Sequence, residues 1–266
     1  MKISDLKVLV KGGGDIASGV AHKLVSSHLK VCLTELPNPK AIRREVAFSD
    51  AVYDGEKEVE GVVARLISSP DEIVQTWEDC KVPILVDPKV ELKNILKPDI
   101  LIDATMAKKN SGTNILDAVL VIGLGPGFKA GIDVHIVIET NRGHNLGRII
   151  DRGEAELNTG IPGEVAGVSV ERILRAPKVG WFSTGKQIGD YIQMGEVVAT
   201  VDSIPIRAQI NGIIRGLLRD RTHVSEGMKV GDVDPRGIKD YCYLISDKSR
   251  AIAGGVLEVI LERFNG

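Results

Sequence analysis

The feature that most constrains the fold is an apolar run that ends in three consecutive glycines. Residues 6–10 (LKVLV) form the run, Lys11 and Gly12–Gly14 follow it, and residues 16–24 carry apolar side chains at helical spacing. This order predicts a strand, a tight turn and a helix. In open α/β folds such a unit belongs to a parallel sheet, and its turn can approach the phosphates of a nucleotide.

Further short apolar runs predict additional strands. They occupy residues 30–36, 62–67, 84–86, 100–102, 119–122 and 134–138. Because these runs are continuous rather than alternating, we expect strands that are covered by helices on both faces of one sheet. The predicted fold is α/β, with a Rossmann-like, mostly parallel sheet in a domain of residues 1–165. Ligands of such sheets bind at the carboxyl ends of the strands.

The second part of the chain contains an internal repeat. Residues 192–202 (IQMGEVVATVD) match residues 224–234 (VSEGMKVGDVD). The separation in sequence between Ile192 and Val224 is called the repeat offset here, and Gly180 and Gly212 are separated by the same offset. Such a match indicates a duplicated β half-motif. We therefore assign residues 166–266 to a small β-rich module.

This module resembles the barrel-sandwich hybrid of biotinyl and lipoyl carrier domains in its order of glycines and small apolar residues. Carriers place a modified lysine in the turn between the half-motifs. This chain has Asp202, Ser203, Ile204 and Pro205 there. We therefore expect no biotin or lipoate, and we interpret the module as a packing, docking or dimerisation surface, which makes a homo-oligomer one option.

Composition limits the partners and the compartment. The chain has 34 basic and 36 acidic residues, so it has no overall positive field that would hold nucleic acid. No apolar stretch approaches the roughly 18 to 20 residues of a membrane span, and the first residues lack the apolar core of a signal peptide. The three cysteines are widely separated and form no CxxC pair. We expect a cytoplasmic protein that binds neither nucleic acid nor membrane.

The first glycine turn predicts a nucleotide site. Gly12, Gly14 and Ala17 fit the pattern G-x-G-x-x-A, and Glu35 ends the second predicted strand. Glycines let the backbone approach a pyrophosphate, the helix start supplies amide donors, and the acid can accept from ribose hydroxyls. The alternative is a tight turn that holds no ligand.

A second glycine cluster, Gly123–Gly127, follows the run at 119–122 and could form an anion-binding nest. Simple loop geometry is the alternative. The residues predicted to bind a nucleotide or dinucleotide are Gly12, Gly13, Gly14, Asp15, Glu35, Asp103, Gly123, Gly125 and Gly127.

Ionisable side chains are densest in residues 131–148. On a strand, Asp133, His135 and Glu139 would share one face. Glu139, Arg142 and His144 combine a carboxylate, a cation and a group that titrates near neutrality. We predict these last three as catalytic residues. The alternative is that Glu139 and Arg142 form a structural pair and that His144 lies in a turn.

Metal binding has weak support in the sequence. Asp103, Asp133 and His135 are possible ligands by residue type, but no short ligand-spaced pair such as HxxxH accompanies them. No metal site is predicted.

Four segments together resemble the YqeB-type accessory proteins of selenium-dependent molybdenum hydroxylases. They are KGGGDIASGVAHKL (11–24), AIRREVAFSDAVYDG (41–55), GLGPGFKAGIDVHIVIETNRGHNLGRII (123–150) and GDVDPRG (231–237). The resemblance implies a role in maturing a molybdenum hydroxylase, with the apoenzyme as partner. It also implies handling of a molybdopterin-type cofactor, such as molybdopterin cytosine dinucleotide, or installation of a labile selenium ligand.

Two other classes of function are compatible with the residues. An NAD(P)-dependent oxidoreductase would share the glycine turn and Glu35, whereas a non-catalytic scaffold would depend on the repeat. Transfer of selenium by a cysteine is not expected, because the chain has no CxxGG-type motif. Whether the protein catalyses any reaction is left open.

Overall fold

The computed structural model describes residues 2–265, which form two compact units. The first unit consists of residues 2–39, 46–159 and 245–265. The second unit consists of residues 40–45 and 160–244.

The first unit contains eleven strands and five α-helices within the described residues. In chain order they are β1 (Lys7–Lys11), α1 (Asp15–Ser26), β2 (Lys30–Glu35), α2 (Ala51–Asp54), β3 (Glu56–Val59), β4 (Val62–Ile67), α3 (Ile73–Glu78), β5 (Val82–Val86), α4 (Leu92–Leu96), β6 (Ile100–Asp103), β7 (Leu120–Leu124), β8 (Lys129–Ala130), β9 (Ile136–Ile138), β10 (Ile149–Ile150), β11 (Gly153–Glu154) and α5 (Asp247–Phe264). Among residues 2–265, short 3-10 helices lie at Ile3–Asp5, Arg44–Val46, Phe48–Asp50, Pro70–Glu72, Ile115–Asp117 and Lys239–Cys242.

Nine of these strands form one sheet in the order β10-β9-β7-β6-β1-β2-β5-β4-β3. The neighbours from β9 to β4 pair in parallel, whereas β10 and β3 pair antiparallel at the two edges. The prediction of an α/β fold with a mostly parallel sheet is therefore confirmed. Strands β8 and β11 form a separate antiparallel pair.

Alternate residues of the central strands enter two hydrophobic cores, one on each face of the sheet. In β1, Val8 and Val10 belong to one core and Leu9 to the other, and β6 and β7 alternate in the same way. Helices α1 and α5 contribute to the first core. Because both faces are buried, the strands are continuously apolar, as the sequence analysis expects.

The second unit contains eight strands within the described residues, and they form two four-stranded antiparallel sheets. The strands are β12 (Ile173–Arg175), β13 (Gly180–Ser183), β14 (Tyr191–Ile192), β15 (Val197–Val201), β16 (Ile204–Arg207), β17 (Gly212–Leu217), β18 (Thr222–Val224) and β19 (Lys229–Asp234). The sheets have the orders β12-β19-β17-β14 and β16-β15-β13-β18.

The sequence repeat is also a repeat of strand pairing. Leu174 of β12 pairs with Gly231 of β19. Adding the repeat offset to position 174 gives Ile206, and subtracting it from position 231 gives Ala199. Ile206 of β16 does pair with Ala199 of β15. The same operation converts the pairing of β13 with β18 into that of β17 with β14. Reciprocal exchange of this kind is the signature of a twofold axis, here a pseudo-twofold axis between the two copies of the repeat.

The structure divides the chain differently from the predicted boundary at residue 165. Residues 40–45 belong to the second unit, where the Ile42 carbonyl accepts a hydrogen bond from Leu217 N at 2.8 Å. Helix α5 belongs to the first unit, because its apolar face completes the core there. The fully buried residues of that face are Ile252, Val256 and Ile260. Neither long-range contact has a local sequence signal.

Among residues 2–265, no helix combines the length and the apolar character that crossing a membrane requires.

We expect substitution by alanine to have opposite effects on stability at two adjacent glycines of α5. A Cβ on Gly255 would collide with the carbonyl oxygen of Gly147, whereas a Cβ on Gly254 would meet nothing within 4 Å. We expect Gly255→Ala to lower the free energy of unfolding by about 1–3 kcal/mol through overpacking. Gly254→Ala should raise it by roughly 0.5–1 kcal/mol, because alanine favours a helix over glycine.

Urea denaturation of both variants measures this difference. The adjacent position is the matched control, since both variants add one methyl group to the same helix. Equal effects of the two substitutions would contradict the close approach of α5 to Gly147.

Candidate functional site

The candidate site lies at the carboxyl ends of β1, β2 and β6. Strand β1 is central, with β2 on one side and β6 on the other, so the sheet grows in opposite directions from β1. In open parallel sheets a crevice forms where the strand order reverses, and ligands bind there. Three of the predicted regions lie at this switch point. The first glycine turn follows β1, Glu35 is the last residue of β2, and Asp103 is the last residue of β6.

The glycine turn leads directly into helix α1. Gly12 has a φ of +98°, which favours glycine, and its amide donates to the Thr34 carbonyl at 2.8 Å. Gly14 is the N-cap residue of α1, and no side chain caps the helix there. The first amides of a helix have no partner within the helix and lie at the positive end of its dipole. A Cβ on Gly14 would meet nothing within 4 Å, so this side of the turn is open.

Gly13 is held in place on both sides. Its amide donates to Glu35 Oε1 at 2.9 Å, so the carboxylate that ends β2 closes the turn. Its carbonyl accepts from Ser49 N at 2.8 Å and from Ser18 Oγ at 3.0 Å. A Cβ on Gly13 would lie 3.0 Å from Ser49 N. The Gly13 backbone is therefore engaged on both sides, and the open side of the turn lies at Gly14. Ligand binding by either glycine stays a prediction.

Lys11 and Asp103 form an ion pair at the same edge. Their positions face each other in the register of β1 and β6, and Lys11 Nζ lies 2.8 Å from Asp103 Oδ2. The Asp103 side chain is fully buried and that of Lys11 is 12% exposed. A buried carboxylate requires such a cation and further hydrogen bonds, because its desolvation is costly.

Hydroxyl groups complete this cluster. Thr105 Oγ1 donates to Asp103 Oδ1 at 2.7 Å, and Thr113 Oγ1 donates to Asp103 Oδ2 at 2.5 Å. Lys11 Nζ donates to Ser111 Oγ at 2.8 Å. Asp103 is among the residues predicted from the sequence, but its partners Lys11, Thr105 and Thr113 are not. The position of Lys11 just before the glycines is the one available signal, since the loop that carries residues 111 and 113 has no periodic pattern.

The glycines of the second cluster, Gly123–Gly127, accommodate close packing. A Cβ on Gly123 would lie 2.5 Å from the Phe128 ring, and one on Gly127 would lie 3.0 Å from the backbone of Lys109. The amide of Gly125 already donates to the Ile138 carbonyl at 2.9 Å. That amide is therefore used in pairing rather than directed at a ligand, and anion binding by this loop stays a prediction.

Glu139 is almost completely buried and accepts three backbone hydrogen bonds. Oε1 accepts from Thr140 N and Asn141 N, each at 2.7 Å, and Oε2 accepts from Glu156 N at 2.7 Å. The carboxylate therefore fixes two chain segments after β9. Arg142, the other member of the structural pair considered above, makes a bidentate contact with Asp247 at 2.5 and 2.9 Å.

His144 is exposed on the loop after β9. Of the predicted catalytic residues Glu139, Arg142 and His144, Glu139 binds backbone amides and Arg142 contacts Asp247. Their catalytic role stays a prediction.

The expected polar face of Asp133, His135 and Glu139 on one strand is wrong. Strand β9 begins only at Ile136, and Asp133 lies in a turn in which its Oδ2 accepts from Lys129 N at 2.8 Å. His135 Nδ1 accepts from Val121 N at 3.0 Å. Within residues 2–265, no group of three or more His, Cys, Asp or Glu residues could hold a metal ion.

The three cysteines are free thiols in different environments. Burial raises the pKa of Cys32 far above its ordinary value, and burial also raises the pKa of Cys242. Cys80 is exposed. Because the thiolate is the reactive form, Cys32 and Cys242 are poor candidates for sulfur or selenium chemistry.

Neutralising Glu139 tests its structural role. We expect Glu139→Gln to lower the free energy of unfolding by about 1–3 kcal/mol, because an amide nitrogen would replace one acceptor oxygen and leave buried N–H groups without a partner. Thermal and urea unfolding would measure the loss. Glu154→Gln, at an exposed position on β11, is the matched control. Equal stability of the two variants would contradict the three-amide contact.

The partly buried position of His135 predicts a dependence of stability on pH. Burial, followed by the positive charge of Arg263, lowers the pKa of His135. As the pH falls below the unfolded value of about 6.5, the unfolded chain takes up the proton first. The free energy of unfolding should therefore decrease from about pH 6.5 toward the lower folded pKa, whereas above about pH 6.5 this contribution is constant.

His135→Asn keeps an acceptor for Val121 N and removes the titration. Urea unfolding of both proteins between about pH 5 and pH 8 isolates the effect of this one histidine. The difference in unfolding free energy between them should change below about pH 6.5 and stay constant above it. Parallel stability curves over the whole range would overturn the prediction.

Comparison with known proteins gives a clear match in sequence. The chain is 46% identical over 254 residues to the "Uncharacterized protein YqeB" of Escherichia coli strain K12. The alignment covers 96% of the chain and 47% of that protein, so the chain spans about half the length of the curated relative that it matches. No protein-family model matches the chain.

Solved structures resemble the chain only weakly. The product-bound ectoine utilization protein EutE (DoeB) from Ruegeria pomeroyi is 10% identical with a TM-score of 0.25, and the match covers 86% of the chain and 85% of that protein. TcdA (CsdL) is 10% identical with a TM-score of 0.32 and coverages of 99% and 90%. Scores this low do not show a shared fold.

The sheet order and the glycine turn define the first unit as a Rossmann-like α/β structure. Within that class, identity of 46% over nearly the whole chain supports membership in the YqeB family.

Proposed function

We propose that the first unit binds a nucleotide or dinucleotide at the carboxyl edge of its parallel sheet. The observation that carries this proposal is the uncapped start of α1 at the switch point, beside the open face of Gly14. The free N–H groups at a helix start point away from the helix and favour negative charge. A phosphate or pyrophosphate is therefore the ligand group that suits this position.

The residues on either side of the turn suit the rest of a nucleotide. Lys11 provides a cation one residue before the glycines, and Ser111 and Asp103 orient its ammonium group. Glu35 ends β2 next to the turn. Each carboxylate oxygen has two lone pairs, so Glu35 can accept from ribose hydroxyls while it keeps its bond to Gly13.

We further propose that this binding serves the maturation of a selenium-dependent molybdenum hydroxylase in the cytoplasm, with molybdopterin cytosine dinucleotide as the ligand and the apoenzyme as the partner. Support comes from the resemblance of the four sequence segments and from the similarity to YqeB over 254 residues. Two of the three thiols are buried and have raised pKa values, which favours cofactor handling over selenium transfer by those cysteines.

We propose that the second unit has the architecture of a barrel-sandwich hybrid. The reciprocal strand pairing of its two copies supports that architecture. The hairpin turn between β15 and β16 consists of Asp202 and Ser203, both with positive φ, and offers no lysine for a carrier group. The unit would then serve as a docking or dimerisation surface.

An NAD(P)-dependent oxidoreductase is the second candidate. The position of Glu35 against the glycine turn favours it, because an acid at this place accepts from the ribose of NAD. The two candidates differ in the nucleotide that they select.

A thermal-shift titration of the full chain separates these candidates. The ligands are NAD, NADP, ATP, CTP and molybdopterin cytosine dinucleotide. A ligand at about 100 times its Kd should stabilise the protein by about 2.7 kcal/mol, which corresponds to a shift of roughly 5–10 °C in Tm. A saturable shift with the molybdopterin species supports the maturation factor, and a shift confined to NAD or NADP supports the oxidoreductase.

Variants at Gly14 and Glu35 locate the site. Gly14→Trp should abolish the shift by filling the open side of the turn, whereas Gly14→Ala should fold and retain most of it. Glu35→Gln keeps an acceptor for Gly13 and removes the charge, so it should weaken binding. Glu58→Gln, on the edge strand β3, is its matched control. No saturable shift with any of the five ligands would overturn the proposal.

A further inference from the structure

The second unit contains a cavity of about 230 Å³ that both copies of the sequence repeat line. Most of its lining residues occur in pairs whose members are separated by the repeat offset. Three of these pairs are Ile173 and Pro205, Leu174 and Ile206, and Arg175 and Arg207. Because equivalent positions of both copies contribute, the cavity lies on the pseudo-twofold axis that relates them.

The two arginines are held by equivalent contacts. Arg175 Nη1 donates to the Gly227 carbonyl, and Arg207 Nη1 donates to the Gly195 carbonyl, each at 2.9 Å. The two glycines also occupy equivalent positions of the repeat. Each contact fixes one end of a guanidinium group that has five N–H donors in total, so further donors remain for a ligand. Among the described residues, no acidic side chain lines the cavity to neutralise the two positive charges.

The remaining wall is mostly apolar. Its exposed apolar residues are Val170, Pro177 and Pro205, whereas Leu174 and Ile206 are buried. The volume of 230 Å³ equals about eight water molecules at roughly 30 Å³ each. It is smaller than the roughly 300–1,000 Å³ of pockets for drug-sized ligands. The cavity therefore fits a small molecule with an apolar body.

We propose that this cavity binds a small organic carboxylate. A carboxylate has two equivalent oxygens in one plane, so each oxygen can accept from one of the two arginines across the pseudo-twofold axis. The apolar body of the ligand packs against the exposed lining residues Val170, Pro177 and Pro205. All of these residues belong to the second unit, so the inference is independent of nucleotide binding by the first unit.

Benzoate is a suitable probe, because it combines a carboxylate with a compact apolar ring. Two-dimensional amide NMR of the full chain would follow its titration, with benzamide as the neutral control of the same shape and acetate as the anion with a minimal apolar body. We expect saturable shifts with benzoate, centred on residues around Gly195 and Gly227. Benzamide and acetate should bind roughly tenfold more weakly or worse, because each lacks one of the two interactions.

Three charge variants test the role of the arginines. Arg175→Gln and Arg207→Gln should each weaken benzoate binding by about tenfold or more, and by similar factors, because the two positions are equivalent. Arg221→Gln is the matched control in the same unit, since its side chain is 92% exposed and lies outside the cavity lining. It should leave the affinity unchanged.

A further variant leaves both arginines unchanged, so that the test does not depend on whether the arginine variants fold. Gln209 is exposed and lines the cavity, so Gln209→Trp should block the ligand while both arginines stay in place. The amide spectrum of each variant would show whether it folds. Absence of a saturable benzoate shift in the unmodified chain would overturn the proposal, as would equal affinities for benzoate and benzamide or unchanged binding in the folded Gln209→Trp protein.

Discussion

The buried pair of Lys11 and Asp103 joins the two strands from which the sheet extends in opposite directions. A carboxylate in this position is stable only with its cation and with hydroxyl donors, so the loop after β6 has to place Thr105 and Thr113 next to Asp103. Gly12 follows Lys11 directly, and its amide is fixed to Thr34 of the neighbouring strand. The start of α1 is thus anchored to β2 and β6 by polar contacts as well as by apolar packing.

Several ionisable groups near this edge have structural partners. Glu139 accepts three amides, Glu35 accepts the amide of Gly13, and Asp87 Oδ2 accepts the amide of Leu92 at 2.8 Å. In each case a carboxylate binds backbone N–H groups where a strand has ended and the chain changes direction. Buried amides need such acceptors in any fold of this type. Residue type and position at a strand end therefore do not by themselves separate a catalytic acid from a backbone cap.

The sequence predicts the strands well because burial on both faces leaves a continuous apolar run. The run at 30–36 becomes Lys30–Glu35, and the run at 119–122 becomes Leu120–Leu124. The run at 134–138 is shortened to Ile136–Ile138, because the preceding residues form a turn held by Asp133. The repeat is visible because its turns use Gly195 and Gly227 at positive φ, where other residues are strained. The contacts of Thr105 and Thr113 with Asp103 and of Ser49 with Gly13 are not predictable in this way, since these residues lie in loops or in a short 3-10 segment without periodicity.

The path of the chain between the two units has a consequence for synthesis on the ribosome. Helix α5 completes the core of the first unit, yet it is translated after all of residues 160–244. Until α5 is translated, helix α1 and strands β9 and β10 expose the surface that α5 will cover. Apolar surface exposed during synthesis promotes aggregation, so the nascent chain passes through a stage at which a chaperone would have a specific binding surface.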